Sequence, residues 1–512
     1  MGFLEERNLD DVPSIPEYFG GKNIFITGGS GFMGKVLIEK LLYSCGDLDK
    51  IYLLLRVKRG VEPQDRLKDL YSSQCFDRLR DEKPGIFAEK VVVVPGDIMH
   101  IGLGLSDEYR QLLIDNVNII FHVAASVRFD DPLTYAVKMN LQGTKEMIDL
   151  AKEIKDLSVF VHVSTSYSNT NRATIEEVMY PAHAEWRDTL AICQHLPEHT
   201  LRTLTPKYLG QLPNTYTFTK QLAEHVGYEN CGQLPIVIFR PSIVISSVEE
   251  PMKGWIENFN GPVGLMVASG KGIMRSLYTD PNLKADYIPV DISIKSMICA
   301  AWIRGTKKLE PTDDIEIYNC CSGNLNNITM GEMVELGREL APAVPLNDML
   351  WNVGGSLTTS PIKHYVKVLF LHLLPALFVD TILWALGRKP MLTKVQRRIY
   401  IANLALLYYI TQQWTFSNKN FVALRSSIKE GDKKQFYYEI ENVDRRQFFY
   451  NACLGAKKYL LKENIEDMSD ARAHFKRMFV LDKVAQCIFY GFISWWILNF
   501  NVSESLKRSK NI

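Results

Sequence analysis

Short apolar runs alternate with stretches of helical spacing through the first two thirds of the chain. Residues 23–27, 50–56, 91–98, 117–125 and 158–163 are dominated by β-branched, leucine and aromatic side chains and read as buried strands. Residues 35–42 and 67–80 carry apolar positions at helical spacing between them. Strands alternating with helices predict an α/β fold, a doubly wound parallel sheet. Beyond about Pro345 the pattern changes. Residues 365–386 are mostly apolar, but Lys367, His372, Pro375 and Asp380 interrupt them, which predicts two helices broken at Pro375. Such helices suit a membrane surface or an apolar tunnel, and an ordinary helical core accounts for them equally. Residues 395–416 and 445–459 continue as aromatic-rich helical material. The last apolar run, 484–502, has no charge over 19 residues, close to the ~20 that span a bilayer. Trp495 and Trp496 near its end suit an interface, so a single-pass transmembrane anchor is expected here. Lys483 before it and Lys507, Arg508 and Lys510 after it leave the orientation open.

A chain of 512 residues is too long for one ordinary domain. The expected division is 20–343 for the sheet domain, 344–465 for a helical domain and 484–502 for the anchor. Lys+Arg 59 against Asp+Glu 58 leaves a net charge of +1, so no global field draws the chain to nucleic acid. The nine cysteines include no Cys-x-x-Cys pair, which argues against a metal site or a disulfide framework and fits a reducing compartment. Residues 1–18 are charged and do not read as a secretory signal.

Chemistry enters at Thr27-Gly28-Gly29-Ser30-Gly31-Phe32-Met33-Gly34, between the first strand and the first helix. Strand, glycine turn and helix together make a dinucleotide site. Gly28 allows the turn, Gly31 lets backbone approach a pyrophosphate, and Gly34 lets helix and strand pack closely, with Thr27, Ser30, Phe32 and Met33 beside them. The second strand ends in Arg56-Val57-Lys58-Arg59, where an NAD site would carry an acid. Arg56 and Lys58 would instead accept a 2′-phosphate, which favours NADPH. Asp97 and Ile98 end the third strand and are placed to meet an adenine, although Asp97 serves equally as a cap. Ala124 leaves room at the tip of the fourth. Asn140 begins the next helix, where an asparagine is also a plain N-cap.

Tyr216 and Lys220 are four apart in a helical stretch and share a face. A lysine ammonium beside a tyrosine should lower its pKa and favour the phenolate. Thr165, with Ser164 and Ser166 as neighbours, offers a hydroxyl at a strand tip to a reacting carbonyl oxygen.

This ordered set resembles the extended branch of the short-chain dehydrogenase/reductase superfamily, a Rossmann-type fold. The resemblance implies Thr165, Tyr216 and Lys220 as a catalytic trio, Asn140 as a helper in proton relay, and Pro241 in a cofactor-facing loop. Further segments sharpen it: Phe239-Arg240-Pro241-Ser242, Glu250-Pro251-Met252-Lys253-Gly254-Trp255, Asp286-Tyr287-Ile288-Pro289-Val290-Asp291 and Tyr318-Asn319-Cys320-Cys321-Ser322-Gly323. In this order they resemble the fatty acyl-CoA reductases with a C-terminal sterile-type domain, from about Asn23 to Asn451. One departure is Asn327 before Ile328-Thr329, where a proline is usual. The resemblance implies reduction of a long-chain acyl-CoA to a primary alcohol with two NADPH through an aldehyde. It also implies an acyl-chain tunnel in the C-terminal part and a place at the endoplasmic reticulum or peroxisome, the catalytic domain facing the cytosol. A homodimer is left open. The alternatives are an extended-branch sugar epimerase, a hydroxysteroid dehydrogenase, or a membrane-bound NADP-binding scaffold without catalysis.

Overall fold

The computed structural model describes residues 11–58, 60–259 and 261–509, with side chains described as far as Asn499. Arg59, the last member of the basic strand exit, lies outside the described residues. The chain divides into two compact units, each drawn from separate stretches of sequence.

The first unit joins residues 1–261, 283–328 and 405–452. Its centre is a seven-stranded sheet of β1 (Ile24–Thr27), β2 (Ile51–Leu55), β3 (Val91–Pro95), β4 (Ile119–His122), β5 (Val159–Val163), β6 (Ile236–Pro241) and β7 (Glu316–Cys320). The spatial order is β3-β2-β1-β4-β5-β6-β7, and every pair is parallel. The order reverses between β1 and β4, which opens a crevice at the carboxyl ends of those strands. Apolar runs without polar alternation are explained by burial on both faces. Phe25, Ile120, Phe160, Ile238 and Ile317 join Met147, Leu222 and Phe218 in one core. On the sheet, α4 (Val290–Gly305) packs against β5, β6 and β7, and its residues from Val290 to Arg304 are buried. The other elements that matter below are α1 (Phe32–Ser44), α3 (Thr215–Tyr228), and α2, which runs through Leu133–Ala136, a π-helical turn at Val137–Gln142 and Gly143–Glu153. The helix expected over 67–80 is broken: it spans Pro63–Tyr71, and Ser72-Ser73 separates it from later short turns.

Residues 405–452 return to complete this unit. Thr415–Phe416 pairs in parallel with Thr174–Ile175. The Glu177 carboxylate accepts from the backbone N–H groups of Asn319, Asn420 and Phe421.

The second unit joins 262–282, 329–404 and 453–512. Its longest apolar element is α5, Pro361–Ala385, 25 residues that are long and apolar enough to cross a membrane. The break expected at Pro375 does not occur. A proline leaves the carbonyl four residues back without its donor. A π-helical turn at Leu369–Leu373 shifts the pairing by one residue, with Leu374 N–H donating to Leu369 O, and the helix continues. The polar interruptions face inward. His372 Nε2 accepts from Arg275 N–H at 2.8 Å, Lys367 Nζ donates to Ser356 Oγ at 2.7 Å, and Asp380 accepts from the N–H groups of Met391, Leu392 and Thr393 at 2.9 Å. Phe370, Phe378, Ile382 and Trp384 are exposed instead. The run at 484–502 lies within α6 (Ser469–Ser509), where Asp482 is buried and Ile488 and Leu498 are exposed.

Candidate active site

A cleft of about 580 Å³ opens at the carboxyl ends of β1 to β6 in the first unit. Gly28, Ser30, Gly31, Phe32, Met33 and Gly34 form one side of it. The glycines are required by contact. Gly28 has φ +75°, and a Cβ there would meet Ala124 N at 2.6 Å. A Cβ on Gly34 would lie 2.5 Å from Gly29 Cα and inside the radius of Gly28 O. Gly31 is the N-cap of α1, and no side chain caps that helix end. Its first-turn N–H groups and positive dipole therefore face the cleft, a cradle for a pyrophosphate. Thr27 does not line the cleft. Its hydroxyl bonds His122 Nδ1 at 2.7 Å and accepts from Ala124 N–H at 3.3 Å, which fixes the exit of β4 beneath the glycines.

The basic rim holds Arg56, Lys58 and a residue that sequence reasoning missed, Arg66. Arg66 donates to Arg56 O at 2.6 Å and to Ser30 Oγ at 3.1 Å. Burial and the nearby Arg56 charge push its guanidinium below the usual arginine range. A further cation ten residues beyond Arg56 was the available signal. Arg56 also donates to Asp97 Oδ2 at 3.1 Å, and Asp97 Oδ1 accepts from Met99 N–H at 3.1 Å, a capping contact. Asp97, Ile98, Ala124 and Pro241 all line the cleft.

Thr165, Tyr216 and Lys220 meet at its far end. Asn214 caps α3, its Oδ1 accepting from Thr217 N–H at 3.0 Å and its Nδ2 donating to Tyr409 at 2.8 Å. The cap sets the helical phase that puts Tyr216 and Lys220 on one face. Thr165 Oγ1 accepts from Tyr167 N–H at 3.2 Å and donates to Pro241 O at 3.5 Å, and it lines the cleft together with Tyr216. Ser164 is committed to Glu224 and Ser166 to Arg240 O, so Thr165 keeps the most loosely held hydroxyl of the three. Lys220 Nζ donates to Val163 O at 2.6 Å.

The ionisation of Tyr216 departs from the sequence expectation. Burial pushes its hydroxyl up to about 12, against the opposing hydrogen bond from Thr165. The Lys220 ammonium is aimed at Val163 O. Lys220 itself is pushed down to about 8 by burial, with Glu224 pulling the other way. At neutral pH the pair is a neutral phenol and an ammonium, the forms suited to giving a proton.

Asn140 is neither a helix start nor part of the cleft lining. α2 begins at Leu133, after Pro132, and Asn140 sits within its π-helical turn. Its side chain accepts from Ser126 N–H at 2.9 Å and donates to Thr219 Oγ1 at 3.0 Å, tying the β4 exit loop to α3. π-Helical turns often mark functional sites because the extra residue re-aims a side chain.

The comparisons with known proteins agree with this geometry. An NAD-binding family model described as male sterility protein matches residues 26–297, and a sterile-domain model of the same description matches 371–463. Fatty acyl-CoA reductase 1 of Homo sapiens is 38% identical over 465 residues, covering 91% of this chain and 90% of the relative. Fatty acyl-CoA reductase wat of Drosophila melanogaster is 34% identical, covering 95% and 93%. The solved reductase domain of a nonribosomal peptide synthetase from Mycobacterium tuberculosis shares the fold, with TM-score 0.57 at 18% identity over 88% of this chain and 94% of that one. The cleft is that of a nicotinamide-dependent oxidoreductase, and the chain belongs to the fatty acyl-CoA reductase family.

Proposed function

We propose that the protein reduces long-chain acyl-CoA to the primary alcohol, releasing CoA and passing through an aldehyde, with NADPH as reductant. The observation that carries this reading is the convergence of Thr165, Tyr216 and Lys220 at one end of a dinucleotide cleft. Bound NADPH supplies the hydride. Thr165 and Tyr216 hold the thioester carbonyl oxygen, and Tyr216 gives it a proton as charge develops. The C–S bond then breaks, CoA leaves as the thiol and an aldehyde remains. Once the spent nucleotide is exchanged for a second NADPH and Tyr216 regains a proton from solvent, the same residues would protonate the aldehyde oxygen in a second reduction. Lys220 supports the phenolate that Tyr216 becomes after each proton transfer. Purified protein with NADPH and acyl-CoAs of graded chain length tests the reading. NADPH loss with one thiol released per two NADPH is expected; no thiol release with any chain length refutes it.

The choice of NADPH over NADH rests on the rim of Arg56, Lys58 and Arg66. A charge-assisted bond to a phosphate is worth about 1.5–3 kcal/mol, so Arg66→Ala should raise the KM for NADPH about tenfold or more. Titration with NADH should be nearly unaffected. An equal loss for both nucleotides would remove Arg66 from the 2′-phosphate.

We also place the second unit against a bilayer. α5 turns its polar residues inward and its apolar residues outward, the inverse of a water-soluble helix. The expected anchor at 484–502 supplies a second apolar surface on α6. Protein truncated before Val484 should still pellet with membranes, because α5 remains. Release into the soluble fraction would leave α6 as the anchor. The endoplasmic reticulum or the peroxisome, with the catalytic unit in the cytosol, suits a water-insoluble product.

A further inference from the structure

Behind the catalytic trio lies an ion pair that the mechanism above does not use. Arg240, near the end of β6, and Glu224, on α3, are wholly buried. The contact is bidentate, Arg240 Nε to Glu224 Oε1 at 2.9 Å and Nη2 to Oε2 at 2.7 Å. The remaining guanidinium N–H groups go to Glu176 O and Val178 O at 3.2 Å. Glu224 Oε1 also accepts from the hydroxyls of Ser164 and Ser168. Three elements therefore meet on one carboxylate: the tip of β5 that continues into Thr165, the helix that carries Tyr216 and Lys220, and the exit of β6 that leads to Pro241. A buried ion pair is at best neutral for stability against apolar residues of the same size. Its position suggests what it does instead. Glu224 follows Lys220 by one helical turn on the same face.

We propose that Glu224 and Arg240 are positioning residues, which lock Thr165 to the Tyr216 helix and hold a negative charge one turn from the Lys220 ammonium. The proposal rests on the reductase reading for its consequence and on the geometry for its existence. Lys220 is faced by His122 on β4 and His162 on β5, both held neutral by burial, and by Tyr216 and Glu224 on its own helix. Glu224 is the group among them that favours the lysine charge.

The test is a titration of the Lys220 side chain by ¹³C NMR in protein without nucleotide or acyl-CoA, its signal assigned through Lys220→Arg. The midpoint in the unaltered protein should be about 8. In Glu224→Gln it should fall by about one unit, and the high-pH limb of turnover should move down with it. Glu224→Asp should restore the midpoint while leaving kcat low, because the charge returns and the tether does not. An unchanged midpoint in Glu224→Gln overturns the proposal. Should that variant fail to fold, Ser164→Ala decides: kcat about threefold lower at unchanged NADPH affinity supports the tether, and unchanged kcat overturns it. The NMR titration needs no acyl-CoA, so an absence of thiol release counts against the reductase reading alone.

Discussion

Tyr216→Phe should lower turnover by about 10²–10⁴-fold while leaving NADPH affinity and folding intact. The change removes one oxygen, and the ring stays in place against Phe129, whose centroid is 5.9 Å away. Thr165 keeps its contacts with Tyr167 N–H and Pro241 O, so the strand tip is not released. What is lost is the acid. Among the described residues lining the cleft, Tyr216 offers a phenolic proton, while Lys220 directs its Nζ to Val163 O. Single-turnover mixing with pre-bound NADPH separates the outcomes. A normal burst would show that protonation comes from elsewhere and would end the role assigned to Tyr216. A fall in kcat alone, with binding unchanged, is the signature of a group that acts in the transition state.

Gly34→Ala should cost about 1–3 kcal/mol of stability and weaken NADPH binding more than tenfold. The added methyl would meet Gly28 O and Gly29 Cα, which are backbone atoms and cannot rotate aside. α1 must then retreat from β1, and the first-turn N–H groups retreat with it. Gly31→Ala makes the useful contrast. Its Cβ meets only Gly28 O, at 3.2 Å, so the fold should tolerate it while the approach of a pyrophosphate is obstructed. Thermal melting and fluorescence titration with NADPH measure the two effects separately. Equal melting temperatures for Gly34→Ala and the unaltered protein would refute the packing argument.

The sheet was legible because its strands are buried on both faces, and such strands appear as unbroken apolar runs such as Val91-Val92-Val93-Val94. Gly31 and Gly34 were legible for a local reason, since Gly28 and Gly29 crowd them, whereas the contact that fixes Gly28 comes from Ala124 beyond β4. What depended on distant partners was not. Arg66 belongs to the rim only because its helix brings it back over the exit of β2. The π-helical turns at Asn140 and before Pro375 are decided by where a helix starts and how it pairs, and no residue type marks them. The ionisation of Tyr216 turned on burial, which the spacing to Lys220 does not encode. Arg240 stood in a quoted segment, yet nothing in that segment pointed to Glu224.

The interleaving of the first unit also bears on how the protein is made. Residues 405–452 carry Phe416, Asn420 and Phe421 into contacts with 174–177. On a ribosome the Gly28–Gly34 turn emerges more than three hundred residues before those partners do. Until then the Glu177 carboxylate lacks two of its three backbone donors, and the edge at Thr174–Ile175 has no strand to pair with. The nascent catalytic unit must therefore wait, half-finished and with apolar surface uncovered, while the whole of α5 is synthesised.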